Sequence, residues 1–333
     1  MAREEHSGMD RREFLVRTGQ AAVGAGLVSM AGGASGAPAT EDLSLPYRLV
    51  ETGSLESGMN QIRGIAVDPE GHLHTAGENG IRVLSAGGTL VRQFQTPGTP
   101  LGVDFDDEGF SFVVLRTKVL KYDPEGRLVA EWGERGKESG QFRYLTSIAV
   151  SGGFTYVADA GNRRVHRFAV DGDFVHDISG FHIPSAYFDC DVDGEGNLSV
   201  AHTSEHRVER YNRSGDLIGA WGEYGSAPEK FCGCCNPTNL AVFPDGRTAT
   251  TEKGIPRLKV YDREGKLLAH LPGEALGVPE NHLYLARLSE KGDGSLPCHD
   301  GWPGMPVAVD PKGQVVVSIP NTGRVRFYEI RPV

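Results

Sequence analysis

One octapeptide pattern returns six times along this chain and limits what the chain can fold into. Gly64-Ile-Ala-Val-Asp-Pro-Glu-Gly71 is the first copy and Gly102-Val-Asp-Phe-Asp-Asp-Glu-Gly109 the second. Ser147-Ile-Ala-Val150, Asp189-Cys-Asp-Val-Asp-Gly-Glu-Gly196, Asn239-Leu-Ala-Val-Phe-Pro-Asp-Gly246 and Pro306-Val-Ala-Val-Asp-Pro-Lys-Gly313 follow. Successive starts are 38, 45, 42, 50 and 67 residues apart. A period near 40 with four strand-like segments per unit marks a β-propeller. In each unit a short apolar run meets an Asp/Pro/Gly turn, whose residues reverse a chain through side-chain hydrogen bonding, fixed φ and tolerance of positive φ. A second strand follows (Phe154 to Ala158 in the third unit), then a polar loop, Asp159-Ala-Gly-Asn162. A third strand alternates basic and apolar residues, as in Arg164-Val-His-Arg-Phe168 and Arg257-Leu-Lys-Val-Tyr261. That alternation reads as one buried and one wet face, which makes His166 and His270 surface groups.

The sixth unit is truncated, with five residues left after Tyr328. The missing fourth strand is available at the other end, as Tyr47-Arg-Leu-Val-Glu-Thr52. Pairing it with the last unit closes the ring and removes the free edge. The expected fold is therefore all-β: a six-bladed propeller over residues 44–333, closed by an N-terminal strand.

Tyr156-Val-Ala-Asp-Ala-Gly-Asn-Arg-Arg-Val165 and Trp132-Gly-Glu-Arg-Gly-Lys-Glu-Ser-Gly-Gln-Phe142 resemble the NHL repeat family. The resemblance implies the six-bladed ring and says little about activity, since one fold hosts many functions. The second unit departs from it, because Phe112-Val-Val-Leu-Arg-Thr117 lacks the Asp-x-Gly-Asn loop.

Residues 1–39 read as a leader. Asp10-Arg11-Arg12-Glu13-Phe14-Leu15 resembles the twin-arginine export motif, Ala21 to Met30 is mildly apolar, and Ala37-Pro38-Ala39 offers a small-residue cleavage site. The apolar run is too short and too glycine-rich to span a bilayer. The expectation is a periplasmic or extracellular protein, monomeric, with no membrane span in the mature chain. The net charge of −10 survives cleavage, because the leader holds four arginines and four acids. Such a charge disfavours phosphate backbones and anionic membranes as partners. A small molecule or a protein ligand at one face of the ring is expected instead.

The cysteines define a candidate face. The link from a fourth strand to the next first strand lies on the same face as the second-to-third hairpin, here called the upper face. Cys232, Cys234 and Cys235 occupy the link into the fifth unit, Cys298 and His299 the link into the sixth, and Cys190 begins a first strand. The step from Phe231 to Val242 is three residues longer than the matching step from Phe142 to Val150, so Cys232-Gly233-Cys234 reads as an insertion. Three readings stay open: a disulfide such as Cys232 or Cys235 with Cys298, expected in an oxidising compartment; a thiolate-bound metal (zinc, copper or an iron–sulfur cluster) held by Cys232, Cys234 or Cys235 with Cys298 or His299; and a reactive thiol. No Cys-x-x-Cys-His for haem attachment occurs.

Other upper-face candidates for ligand binding are Arg63, His182, His202, Asn239, Glu252 and Lys253. Arg63 and Asn239 stand where first strands start and side chains can enter the channel. His202 occupies the place of Asp159, and Glu252-Lys253 forms the fifth upper hairpin. Gly273 to Pro303 is a long insertion, a lid or a packed decoration. Two enzyme classes are weighed beside simple ligand binding and a disulfide-tied scaffold. A peptidylglycine-amidating lyase is also an NHL-type propeller with a channel metal, but its histidine set is not matched residue by residue. A lactonase would need carboxylate and Asn ligands for calcium, and the first strands offer mainly Asp104 and Asp191.

Overall fold

The computed structural model describes residues 44–78, 80–233, 235–279 and 304–333. These residues form six four-stranded antiparallel sheets; five run in sequence order from an inner to an outer strand, and the sixth takes its outer strand from the N-terminal side of the chain. The inner strands are Gly64–Val67, Gly102–Phe105, Leu145–Ser151, Cys190–Val192, Asn239–Val242 and Val307–Val309. Each packs beside the next, and the sixth packs beside the first, so the blades form a ring around a central channel. No α-helix occurs among the described residues, and none is long and apolar enough to cross a membrane.

Closure follows the expected route. The strand Tyr47–Glu56 pairs antiparallel with the last strand, Arg324–Pro332, from Tyr47 opposite Pro332 to Glu56 opposite Arg324. Blade 6 thus contains both ends of the described chain, and no blade is left with an unpaired inner or middle strand.

The expected wet face of the third strands is not there. Arg257–Tyr261 is buried at all five positions, and His166 is completely buried. Propeller blades pack face to face, so both faces of the middle strands are covered. The basic residues on those strands are paired rather than hydrated: Arg210 with Asp193 at 3.0 Å, and Lys259 with Glu252 at 2.6 Å. His270 is partly buried, and burial with the nearby Arg257 and Lys259 charges lowers its pKa to about 4.

The Trp-Gly…Gly-x-Phe segments act as link braces. Gly133 and Gly222 adopt positive φ with Phe142 and Phe231 folded against them. A Cβ on Gly133 would lie 2.5 Å from the Phe142 ring. Both phenylalanines are fully buried, so each loop anchors the link that reaches the next inner strand.

Candidate functional site

The residue at the end of the second strand fixes the upper link of four blades. Glu78 accepts hydrogen bonds from the backbone N–H groups of Asn60 (2.6 Å) and Gln61 (3.0 Å). Asp159 accepts from Arg143 (2.8 Å) and Tyr144 (2.9 Å). His202 Nε2 accepts from His182 (2.8 Å), and Glu252 accepts from Cys232 (3.1 Å). These groups satisfy link donors that would otherwise be buried without a partner.

Seven residues further on, the third strand supplies a partner of opposite character. Asp159 lies 3.5 Å from His166, Glu252 lies 2.6 Å from Lys259, and His202 Nδ1 lies 2.9 Å from Glu209. Blade 4 carries the pair with its polarity exchanged. Burial opposes ionisation of Glu209, but hydrogen bonds from His202, Tyr211 and Arg207 hold its pKa down at about 2. Burial also opposes charge on His166, yet Asp159 and Asp177 raise its pKa.

These contacts decide the standing of two candidates. His202 sits with His182 and Glu205 in a grouping whose ligand atoms lie within 4.8 Å. Both of its ring nitrogens are already engaged, one accepting from His182 N and one facing Glu209, so no lone pair is left for a metal. Glu252 is engaged by Arg257 at 2.7 Å, Lys259 and Cys232 N. His182 itself projects into solvent. Lys253 is buried with its ammonium 3.9 Å from the centre of the Tyr187 ring, and Tyr187 lines the channel mouth.

Arg63 and Asn239 do meet at the channel. A cavity of about 620 Å³ opens at the upper mouth, lined by Arg63, Tyr144, Tyr187, Asn239 and Ser318 among others. Below it runs a narrower shaft of about 220 Å³ along the inner strands. Arg63, Leu101, Thr146, Asn239 and Pro306 line both. The shaft is tight on the side of blades 1 and 2, where a Cβ on Gly64 would lie 2.8 Å from Gly102 Cα.

The shaft is acidic. Asp104, Asp189 and Asp191 line it. Asp104 accepts from Val150 N of the next blade at 2.6 Å, and Asp191 accepts from Val242 N of the next blade at 2.6 Å. Asp189 accepts from Leu240 N at 3.1 Å and from the Asn239 amide at 3.0 Å. Asn239 Oδ1 is itself buried without a hydrogen-bond partner. Burial between the blades, followed by the Asp191 charge, pushes the Asp104 pKa up to about 8. Burial raises Asp191 to about 7 despite two backbone hydrogen bonds, and raises Asp189 as well. The lumen leaves Asp104 and Asp191 partly exposed.

The inner strands already carried this signal. At the third position of the repeat four blades have alanine (Ala66, Ala149, Ala241 and Ala308), while blades 2 and 4 have Asp104 and Asp191. A carboxylate replacing alanine on a strand that faces a channel is a departure that strand formation does not require.

Cys190 and Cys232 are buried free thiols, and burial raises the pKa of each. Cys235 is fully buried and its sulfur accepts from Ser185 Oγ at 3.1 Å; Ser185 lines the mouth cavity. Cys234, Cys298 and His299 lie outside the described residues, as does residue 280 to 303 of the long insertion. The described start of that insertion is packed, with Leu276 and Val278 in the core beside blade 6.

No family model matches the sequence, and no curated protein does. Solved structures do match in shape. A gluconolactonase from Xanthomonas campestris superposes with a TM-score of 0.56 at 13% identity, over 81% of this chain and 87% of its own. A streptogramin B lyase gives 0.55 at 13% identity, over 87% and 96%. A virginiamycin B lyase from Staphylococcus aureus gives 0.53 at 11% identity, over 87% and 95%. These likenesses show the fold alone.

Proposed function

We propose that the protein binds a small polar ligand where the mouth cavity meets the acidic shaft, and that Asp104 and Asp191 exchange protons with it. One observation carries this reading: cavity and shaft share Arg63 and Asn239, so a ligand held at the mouth has the two carboxyls beneath it. Arg63 offers a fixed positive charge to an anionic or carbonyl group. Burial raises both carboxyls towards neutral pH, where a buried acid can give up or take a proton. Such a pair suits hydrolytic or eliminating chemistry, in which one atom loses a proton and another gains one. The lactonase and lyases among the structural neighbours belong to those two classes.

The oxygen donors of the shaft suit a hard cation such as calcium in kind. Among the described residues, groups of three His, Cys, Asp or Glu ligand atoms within 4.8 Å occur at His182, His202 and Glu205 and at Asp68, Glu70 and His72, not in the shaft. No step is therefore routed through a channel metal. The thiolate reading stays with Cys232 or Cys235 and Cys298, and elemental analysis with thiol counting on the mature protein tests it. Export by the twin-arginine route is part of the proposal, and replacing Arg11 and Arg12 together by Lys should stop it.

The test is turnover of a panel of lactones and esters, with and without added calcium, by the mature protein. Asp104→Asn and Asp191→Asn should each lower kcat at least about 100-fold while the circular dichroism stays that of wild type. Arg63→Ala should mainly raise KM. Equal turnover by wild type and both Asn variants would remove the shaft from the chemistry.

A further inference from the structure

The lower face of blade 1 differs from that of the other blades in one turn, Asp68-Pro69-Glu70-Gly71-His72-Leu73-His74. The backbone of this turn is shared. Asp106 accepts from the N–H groups of Glu108 and Phe110, Asp193 from those of Glu195 and Asn197, and Asp310 from those of Lys312 and Gln314. Asp68 accepts from His72 N at 2.7 Å in the same way. The side chains are not shared. Where blades 2, 4 and 6 have Phe110 and Phe112, Asn197 and Ser199, and Gln314 and Val316, blade 1 has His72 and His74.

Both imidazoles address one atom. His72 Nδ1 lies 3.0 Å and His74 Nε2 lies 3.1 Å from Asp68 Oδ2. A Glu70 carboxylate oxygen joins Asp68 and His72 within 4.8 Å. His74 is buried while Glu70 is exposed and His72 partly so, which leaves a way in for an ion. His74 Nδ1 is buried without a hydrogen-bond partner, so the proton of the neutral ring belongs on Nε2, where it fixes Asp68 Oδ2 beside His72.

We propose that this turn binds a divalent transition-metal ion of the zinc type, with Asp68, Glu70 and His72 as ligands and His74 holding Asp68 from behind. Bonds of about 2.0–2.1 Å to a tetrahedral ion place neighbouring donors roughly 3.3 Å apart. The Asp68 to His72 separation of 3.0 Å needs to open by only a few tenths of an ångström, and the Glu70 carboxylate lies within 4.8 Å of both. The charges balance, because two carboxylates and one neutral imidazole present −2 to a +2 ion. Binding replaces the His72 Nδ1–H···O contact, with the His72 proton moved to its outward Nε2, while His74 keeps its Nε2–H on Asp68. Burial keeps His74 neutral, with Asp68 opposing, and Asp68 is held ionised by His74 and His72 although burial resists it. The Arg92 charge is felt at His74 and works against a cation, so the second carboxylate is needed. Nitrogen and oxygen donors together select zinc, cobalt or nickel over calcium. His74 stacks edge-on against Phe105 of blade 2, with ring centres 4.2 Å apart, so an ion here ties the first turn to the seam between two blades.

Chelator-treated mature protein is titrated with zinc by calorimetry and with cobalt by visible absorption, beside His72→Ala. The expected result is one equivalent whose affinity falls at least about 100-fold in His72→Ala. Its cobalt spectrum should show d–d bands of a nitrogen and oxygen site without thiolate charge transfer. Zinc should raise the Tm of wild type and leave that of the variant unmoved. If His72→Ala does not fold, Glu70→Gln on the exposed edge replaces it, with an expected loss of about 10-fold. Wild type that takes up no zinc at millimolar concentration, or variants that bind the same equivalents with the same affinity, would overturn the site.

Discussion

Blade 5 and the channel shaft both bury carboxylates, and they treat them in opposite ways. Glu252 is fully enclosed, yet it has Arg257 and Lys259 as cationic partners and Cys232 N as a third donor. Asp104 and Asp191 have backbone N–H donors and no cation among the contacts described for them. The first arrangement is complete: its charge is neutralised where it stands, and nothing more can be bound without breaking it. The second leaves charge available to a proton or a ligand. Within one fold, a buried acid is thus a brace when its counter-charge comes from its own blade, and a candidate working group when that charge is left to a visitor.

The strongest way to break this contrast is to unbalance blade 5. Glu252→Gln strands Arg257 and Lys259 in a dry seam and should cost about 3–5 kcal/mol, measured as a shift of the urea midpoint. Lys259 already feels the strain of burial, which lowers its pKa to about 8 against the pull of Glu252. A cost under 1 kcal/mol would mean that the hairpin is solvated and the contrast false.

Blade 4 allows a sharper test, because its pair has the reverse polarity. His202→Ala should cost about 1–3 kcal/mol, since it orphans the His182 N–H and a Glu209 contact. Exchanging the pair as His202→Asp with Glu209→His copies the polarity of Asp159 and His166, and should recover most of that loss. Failure of the exchange would show that the blades are not interchangeable at this position.

The shaft should respond with the opposite sign. Asp104 and Asp191 have folded pKa values of about 8 and about 7, above the roughly 3.9 of an unfolded Asp. Between these limits the native state holds more protons than the unfolded one. Stability contributed by these groups is therefore full below about pH 4 and is lost as pH rises to about 8. Asp104→Asn and Asp191→Asn should each stabilise the protein at pH 8, by about 1–2 kcal/mol, and flatten the decline of Tm between pH 4 and 8. Variants less stable than wild type at pH 8 would place a bound cation in the shaft. Smallest of all, Arg63→Ala should change stability by no more than about 0.5 kcal/mol, since it stands exposed at the mouth.

Much of this was open to inspection before any coordinates. The six octapeptides and the truncated last unit give blade number and closure, because turn residues have strict backbone reasons for their places. The Asp-for-Ala exchanges at Asp104 and Asp191 are visible once the inner strands are stacked. The residue pairs seven apart are visible too, but alternation alone misreads them. It assumes one wet face, whereas the packing of blade on blade covers both, and so His166 passes for a surface group. His202 and Glu252 look available from sequence because the link N–H groups they satisfy come from residues about 20 positions away. The cavity itself is a property of how six strands diverge, and no single repeat encodes it.

The pairing of Tyr47–Glu56 with Arg324–Pro332 sets an order of events in synthesis. Tyr47–Glu56 must wait for Arg324–Pro332. Blades 1 to 5 can assemble as the chain emerges from the ribosome, but the sixth is withheld until Arg324–Pro332 has been made. A stalled or prematurely stopped chain therefore presents an open arc with two bare sheet edges, which proteases and chaperones can distinguish from the finished circle. The same pairing makes the starting point of the circle arbitrary. A circular permutant that joins the native ends and opens in a lower turn such as Asp123 to Gly126 should fold to the same ring.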